Sequence, residues 1–208
     1  MKRGIFIVFE GGEKVGKTTQ LKRAKQFLEE KYYSVVLTHE PGGGDPALRE
    51  KLLDKKGTLT PEEELDYFCR DRALHINNII APALENGTIV LCDRFEPSTI
   101  AYQGYARGID LELIKKKSAA ARYGMWPNLI ILLDADPAAV LSREEATSRF
   151  DAETLDFHHR VRYGFLAQAK NDPVHWRIVD AEQPLDVVWK NVKKYLDEFL
   201  QIKKEAMP

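Results

Sequence analysis

The amino-acid sequence predicts an α/β fold in which a parallel sheet of five strands is covered by helices on both faces. Short apolar runs rich in β-branched and aromatic residues recur along the chain, and segments with helical spacing separate them. Strands that alternate with helices form parallel sheets, and continuous apolar runs are typical of strands buried on both faces. Because the sequence shows no repeat, low-complexity tract or linker, we expect one domain over residues 1–208.

Five apolar runs are interpreted as the strands: residues 5–9, 34–38, 88–92, 129–133 and 176–180. Helical patterns are predicted from residue 17 to about 31, from 61 to about 86, and onward from residues 136 and 184. The second pattern is the clearest, because Thr60, Pro61 and Glu63 form a capping box with proline in the first turn. Gly87 is expected to end that helix.

The composition excludes several classes of protein. With 31 basic and 32 acidic residues the net charge is -1, which argues against a non-specific nucleic-acid binder. No apolar run approaches the length of a membrane span, and the N-terminus does not resemble a signal peptide. We therefore expect a cytoplasmic protein without a nucleic-acid or membrane partner. Cys69 and Cys92 are expected to be free thiols, since two cysteines provide neither a disulfide framework nor a zinc site.

A glycine-rich segment directly after the first strand carries the strongest functional signal. Residues 11–18 (GGEKVGKT) match the phosphate-binding pattern G-x-x-x-x-G-K-[ST]. Its glycines let backbone N–H groups converge on phosphate oxygens at a helix N-terminus, where negative charge is favoured. Lys17 can reach the β- and γ-phosphates, and the hydroxyl of Thr18 can bind Mg²⁺. The predicted ATP-binding residues are Gly11, Gly12, Glu13, Lys14, Val15, Gly16, Lys17, Thr18 and Thr19.

Asp93 and Arg94 follow the third predicted strand. Ligands of parallel α/β sheets bind at the carboxyl ends of the strands, so Asp93 can join the magnesium shell directly or through water. Arg94 beside it can make a bidentate contact with a phosphate. The alternative, which the sequence leaves open, is that both residues belong to surface ion pairs.

Phosphate-binding loops occur in GTPases, motors, helicases and kinases, so this motif alone does not define a function. The chain contains no Asn-Lys-x-Asp motif, which weakens a guanine-specific switch protein, and its length leaves little room for a motor or a helicase. Further motifs lie in order along nearly the whole chain: residues 9–20, 38–43 (THEPGG), 93–104 (DRFEPSTIAYQG), 133–143 and 149–151 (RFD). Together they resemble the corresponding segments of the thymidylate kinase family.

This resemblance implies a three-layer P-loop NTPase fold with strand order 2-3-1-4-5 and a small lid at about residues 143–153. It implies transfer of the γ-phosphoryl group of ATP to dTMP with Mg²⁺ as cofactor, and a homodimer. Alternatives that remain open are a monophosphate kinase with another base preference and a catalytically silent nucleotide-binding protein. Because the acceptor phosphate is largely dianionic at neutral pH, no general base is expected. The lid around Ala146, Thr147 and Ser148 is expected to close over the nucleotides.

The resemblance also implies roles for individual residues. Phe68 would stack on thymine and Arg72 would hydrogen-bond it; the two positions are i and i+4 on one predicted helix and so share a face. Tyr102 would lie against the deoxyribose. The full predicted dTMP site is Pro41, Arg49, Phe68, Arg72, Arg94, Ser98, Thr99, Tyr102 and Gln103, with Arg49 and Arg94 at the phosphate. The predicted catalytic residues are Lys14, Lys17, Arg94, Arg143 and Arg149.

The sequence departs from the family pattern at several positions. His39 and Ser148 replace the usual Arg and Asp, and the segment between residues 43 and 49 is about two residues shorter than is common in bacteria. Lys14 is basic where one branch of the family uses Arg, although lid arginines are present too, so either group could reach the γ-phosphate. Alternatives in which these residues have no role in binding or catalysis stay open: Phe68 in the core, Arg72 in a surface ion pair, and Lys14 in solvent.

Overall fold

The computed structural model describes residues 3–54, 59–143 and 148–205. Its centre is a five-stranded parallel sheet in the order β2-β3-β1-β4-β5. The strands are β1 Phe6–Glu10, β2 Val35–His39, β3 Ile89–Asp93, β4 Leu129–Asp134 and β5 Trp176–Asp180. The predicted fold, strand number and strand order are confirmed. The first three strands begin and end one residue later than expected, and the fourth is one residue longer.

Helices connect the strands on both faces. They are α1 Lys17–Glu30, α2 Pro46–Leu53, α3 Pro61–His75, α4 Ala81–Glu85, α5 Glu96–Thr99, α6 Leu111–Ala121, α7 Pro137–Val140, α8 Leu155–Asn171 and α9 Leu185–Glu205. Wider π-helical turns occupy Ile76–Ile80 and Ile100–Ala106, and a 3-10 turn spans Leu141–Arg143. Within the described ranges, no helix combines the length and apolar character that a membrane crossing requires.

The helix predicted from residue 61 to about 86 is present as α3, a π-helical turn and α4 in succession. The capping box is confirmed: the Thr60 hydroxyl accepts the Glu63 N–H at 3.2 Å, and the Glu63 carboxylate accepts the Thr60 N–H at 2.9 Å. The π-helical turn ends at Ile80, two residues before Pro82, which has no N–H to donate. Helices α2, α5, α6 and α8 were not predicted.

The two faces of the sheet bury alternate residues of the three central strands, β3, β1 and β4, as the pleat requires. On one face, Ile7 and Phe9 of β1 pack with α1 and α9. On the other, Phe6 and Val8 pack with the π-helical turn before α4, and α8 packs on the π-helical turn after α5. Since β1 is central, the loop that follows it lies at the middle of the carboxyl edge, between the ends of β3 and β4.

Candidate active site

The loop between β1 and α1 adopts a conformation that its glycines permit. Gly11 and Gly16 have φ angles of 142° and 90°, which favour glycine. A Cβ on Gly11 would lie 2.4 Å from the carbonyl oxygen of Leu133, so a side chain cannot be placed there. Gly16 is the N-cap of α1, and in the described structure no side chain caps this helix. The first N–H groups of α1 therefore face the cavity as an anion-binding site.

Lys17 and Arg94 both donate to backbone carbonyls of this loop. The ammonium of Lys17 donates to the carbonyl oxygens of Gly12 at 2.6 Å and Gly11 at 3.2 Å. Arg94, which directly follows β3, donates to the Gly11 carbonyl at 2.8 Å and pairs with Glu13 at 2.9 Å. Burial first, and the nearby Arg94 second, lower the pKa of Lys17. A negatively charged phosphate would offset both effects by stabilising the ammonium and the guanidinium, so the electrostatics of the loop favour an anion.

The site also contains a carboxylate suited to a divalent cation. Asp93 ends β3 beside Phe9 of β1, and its Oδ1 atom is buried with no hydrogen-bond partner among the described residues. Thr18, in the first turn of α1, lines the same cavity. A buried carboxylate oxygen without a partner is costly, and hard oxygen ligands are those that Mg²⁺ prefers. The residues present therefore fit a magnesium ion.

A single cavity of about 690 Å³ extends from the phosphate-binding loop to α3. It brings together most of the predicted site residues: Glu13, Lys14, Gly16, Lys17, Thr18, Thr19, Pro41, Arg49, Phe68, Arg72, Asp93, Arg94, Ser98, Thr99, Tyr102 and Gln103. Gly11, Gly12, Val15 and Arg149 do not line it. Val15 packs into the core with α1 and β4, so only its backbone could serve a nucleotide. The side chain of Arg143 lies outside the described part of the structure.

Arg72 lies at the far end of this cavity and shares a helix face with the half-buried Phe68. Its guanidinium is 1% exposed and pairs with Glu40, with Nε at 3.0 Å and Nη2 at 2.9 Å from the same carboxylate oxygen. Nη2 also donates to Thr99 Oγ1 at 2.8 Å. Among the described residues Nη1 has no partner, which leaves a buried donor beside the cavity. The surface ion pair considered for Arg72 is wrong, because the pair is buried.

The loop after β2 is held by Asp71, a residue that the sequence analysis missed. Its carboxylate accepts the N–H groups of Gly42 at 2.7 Å, Gly44 at 3.1 Å and Asp45 at 2.8 Å. A Cβ on Gly44 would lie 2.1 Å from the Asp71 carbonyl oxygen, so only glycine allows this approach. The loop leads into α2, which carries Arg49. The run of three glycines was the available signal in the sequence, because such a run indicates that the backbone lies very close to another part of the protein.

Arg49 lies where α2 faces the loop. Its Nη1 atom donates to the Pro41 carbonyl at 2.7 Å and lies 3.5 Å from Nδ1 of His39. His39 Nδ1 is itself 3.0 Å from the same carbonyl. Although the segment before Arg49 is short, the Arg49 guanidinium still lies at the cavity wall. It is next to His39, the residue that stands in place of the expected arginine.

Three acidic residues hold polar side chains that line the cavity, namely Ser98, Tyr102 and Gln103. Tyr102 donates its hydroxyl to Glu13 at 2.7 Å, and Ser98 donates to Glu10 at 2.6 Å. Although burial alone would raise it, Arg94 and Lys17 hold the pKa of Glu13 below its usual value. Burial raises the pKa of Glu10 to about 7. The third carboxylate, Glu64, contacts Gln103 and is described below.

The segment predicted as the lid begins and ends within the described residues, while residues 144–147, with Ala146 and Thr147, lie outside them. The ammonium of Lys14 donates to the Leu141 carbonyl at 2.8 Å, so the phosphate-binding loop contacts the base of this segment. Ser148 donates through its N–H to Asp151 at 2.8 Å. Arg149 pairs with Glu64 rather than facing the phosphate-binding loop. Its contact with the γ-phosphate stays a prediction.

A parallel sheet in this order, with a glycine-rich loop between the central strand and a helix, defines a P-loop nucleotide-binding protein. A model of the family "Thymidylate kinase" matches residues 9–192. A thymidylate kinase of Gloeobacter violaceus is 45% identical over 94% of this chain and 96% of the relative. One of Desulfovibrio desulfuricans is 41% identical, with 95% and 97% covered. A crystal structure of thymidylate kinase from Ehrlichia chaffeensis matches with a TM-score of 0.78 and 35% identity, covering 94% of this chain and 99% of that one. The chain belongs to the thymidylate kinase family.

Proposed function

We propose that this protein transfers the γ-phosphoryl group of ATP to dTMP, producing ADP and dTDP. The observation that carries the proposal is the continuous cavity that joins the phosphate-binding loop to the face of α3 bearing Phe68 and Arg72. Phosphoryl transfer depends mainly on in-line positioning and charge neutralisation, and both requirements can be met in one such cavity. Two relatives that are named thymidylate kinase are similar to this chain over nearly their full length, and they support the same reaction.

On the donor side, the N–H groups of residues 11–19 would bind the phosphates of ATP. Lys17 would release its carbonyl contacts and neutralise the β- and γ-phosphates. Thr18 and Asp93 would hold Mg²⁺, which when bound offsets the charge of the phosphate oxygens. Lys14, Arg143 and Arg149 are proposed to approach the γ-phosphate when the lid, about residues 143–153, closes.

On the acceptor side, Phe68 would stack on the thymine ring, and Nη1 of Arg72, which has no partner among the described residues, would donate to a base carbonyl. Arg49 and Arg94 would bind the dTMP phosphate, whose second pKa near 6 leaves it largely dianionic and nucleophilic at neutral pH. This phosphate therefore needs orientation rather than deprotonation. Pro41, Ser98, Thr99, Tyr102 and Gln103 would form the remaining walls, with Tyr102 against the deoxyribose.

We further propose a single domain over residues 1–208, a mobile lid and a homodimer. Sedimentation equilibrium at micromolar concentration tests the dimer, and a monomer mass would refute it. Proteolysis tests the lid: cleavage between residues 143 and 153 should slow when a bisubstrate analogue is bound. Equal cleavage with and without the analogue would count against closure.

Turnover across a panel of monophosphates tests the proposed reaction. ADP release would be followed with ATP, Mg²⁺ and each of dTMP, dUMP, dCMP, dGMP, UMP and AMP. We expect dTMP to give the highest kcat/KM. A higher kcat/KM for another monophosphate would identify that monophosphate as the preferred substrate. ATP binding without any monophosphate-dependent ADP release would identify a silent nucleotide-binding protein.

A further inference from the structure

Glu64 is a fully buried carboxylate that contacts Gln103 of the proposed acceptor site and two arginines. It lies on α3 one turn before Phe68, and its side chain is 0% exposed. Its Oε1 atom accepts from Gln103 Nε2 at 2.6 Å and lies 3.5 Å from Arg107 Nε. Its Oε2 atom pairs with Arg149. Two guanidinium groups thus compensate for the charge of Glu64, which makes an ionised carboxylate tolerable at a position without solvent.

An ionised carboxylate constrains the orientation of the Gln103 side-chain amide. A carboxylate can only accept hydrogen bonds, whereas an amide has donors at its nitrogen and an acceptor at its oxygen. The amide orientation of glutamine usually has to be assigned from its neighbours. Here the neighbour allows one answer, because Nε2 must face Glu64. Gln103 also lines the cavity, so its Oε1 atom is the end that is left for a bound ligand.

We propose that Glu64 is a positioning residue for base selection, which fixes Gln103 so that its amide oxygen meets the acceptor base as a hydrogen-bond acceptor. This inference rests on the proposed function and specifies how the base would be recognised. The same end of the cavity presents a donor, the buried Nη1 of Arg72. A donor beside an acceptor matches the 4-carbonyl and N3–H of thymine or uracil. Cytosine presents an amino group and an unprotonated nitrogen there, so both contacts would be mismatched.

The experiment compares base preference in Glu64→Gln with the wild type. Glutamine has nearly the same size as glutamate but can turn either end toward Gln103, so the amide oxygen is no longer fixed. We expect the ratio of kcat/KM for dTMP over dCMP to fall roughly tenfold to a hundredfold, the range expected for one lost polar contact. The ratio for dTMP over dUMP should stay unchanged, because both bases present the same edge.

Glu153→Gln is the matched control. Glu153 pairs with Arg107 at 2.7 Å, on the guanidinium that also faces Glu64, so this variant removes a neighbouring carboxylate charge. In the described structure it has no contact with Gln103. The dTMP over dCMP ratio of Glu153→Gln should therefore equal that of the wild type.

The outcomes separate the inference from the proposed function. A wild type without dTMP turnover would refute the function itself. If the wild type is active but Glu64→Gln loses activity toward dTMP, dUMP and dCMP in parallel, or keeps its dTMP over dCMP ratio, Glu64 does not position Gln103 for base selection. If circular dichroism shows that Glu64→Gln does not fold, Gln103→Met replaces it, and an unchanged ratio in that variant overturns the inference. Where all variants fold, the double variant Glu64→Gln, Gln103→Met should have the same dTMP over dCMP ratio as Gln103→Met alone.

Discussion

Replacing Glu40 by glutamine should destabilise the protein strongly, because it leaves the charge of Arg72 buried without its main partner. The two side chains are 3% and 1% exposed, and the Glu40 carboxylate also lies 3.1 Å from Nδ1 of the fully buried His75. Breaking a buried ion pair from one side costs about 3–5 kcal/mol. Glutamine retains a carbonyl acceptor, and Glu96 lies near enough to offset part of the Arg72 charge, so the low end of this range applies. A loss of about 3 kcal/mol corresponds to a fall in Tm of roughly 6–12 °C for a chain of this size.

Urea unfolding followed by circular dichroism would measure this loss in Glu40→Gln. The control is Glu198→Gln, which removes an exposed pair with Lys194 at 3.8 Å and should leave the unfolding curve nearly unchanged. The double variant with Arg72→Met removes both buried charges, so it should be more stable than Glu40→Gln alone. A cost under about 1 kcal/mol for Glu40→Gln, or a double variant less stable than the single one, would refute the reasoning.

Three further predictions concern the phosphate-binding loop and its surroundings. Lys17→Ala should abolish measurable turnover, since losing even one such contact costs on the order of 10²–10³ in rate; near-normal dTMP-dependent ADP release would refute the role of Lys17. Asp93→Asn should raise the Mg²⁺ concentration for half-maximal activity roughly 10–100-fold, and an unchanged magnesium titration would remove Asp93 from the metal site. Burial raises the pKa of Glu10 from 4.5 to about 7. Between these two pH values the folded protein therefore holds a proton that the unfolded chain has released. The free energy of unfolding, relative to Glu10→Gln, should therefore fall as pH rises from about 5 to 8. A difference between the two proteins that does not vary with pH would contradict this prediction.

The sheet and the phosphate-binding loop could be predicted because their signals are local. The three central strands, β1, β3 and β4, are nearly continuous apolar runs, and the loop motif contains the glycines that its backbone requires. The edge strands are less uniform, since β2 ends in Thr38 and His39 and β5 contains Arg177. Helix α6 was missed because its buried stripe is weak: Ile114, Ser118 and Ala121 are the residues it buries, and two of them are small or polar. Helix α8 was missed although its buried residues, among them Phe157, Val161 and Phe165, follow helical spacing, so its signal was present in the sequence and was overlooked.

The charged framework of the site could not be predicted from local patterns. Glu64 is the last of three consecutive glutamates at the start of a helix, and such residues are normally expected in solvent, so nothing near it in the sequence indicates that it is buried. Its partners Gln103 and Arg149 are 39 and 85 residues further along the chain. The same holds for Asp71, whose three donors come from the loop after β2. These contacts exist only once the sheet has brought the segments together.

The strand order also determines when a growing chain can shape its nucleotide loop. β1 is synthesised first, but both of its neighbours come later: β3 ends at Asp93 and β4 at Asp134. β2, which is synthesised next, does not stabilise β1 directly, because it pairs with β3 and not with β1. Gly11 fits closely against the carbonyl of Leu133, so the wall of the loop is missing until β4 has left the ribosome. A nascent or truncated chain that ends before β4 would therefore carry the entire nucleotide-binding motif and still be unable to hold ATP.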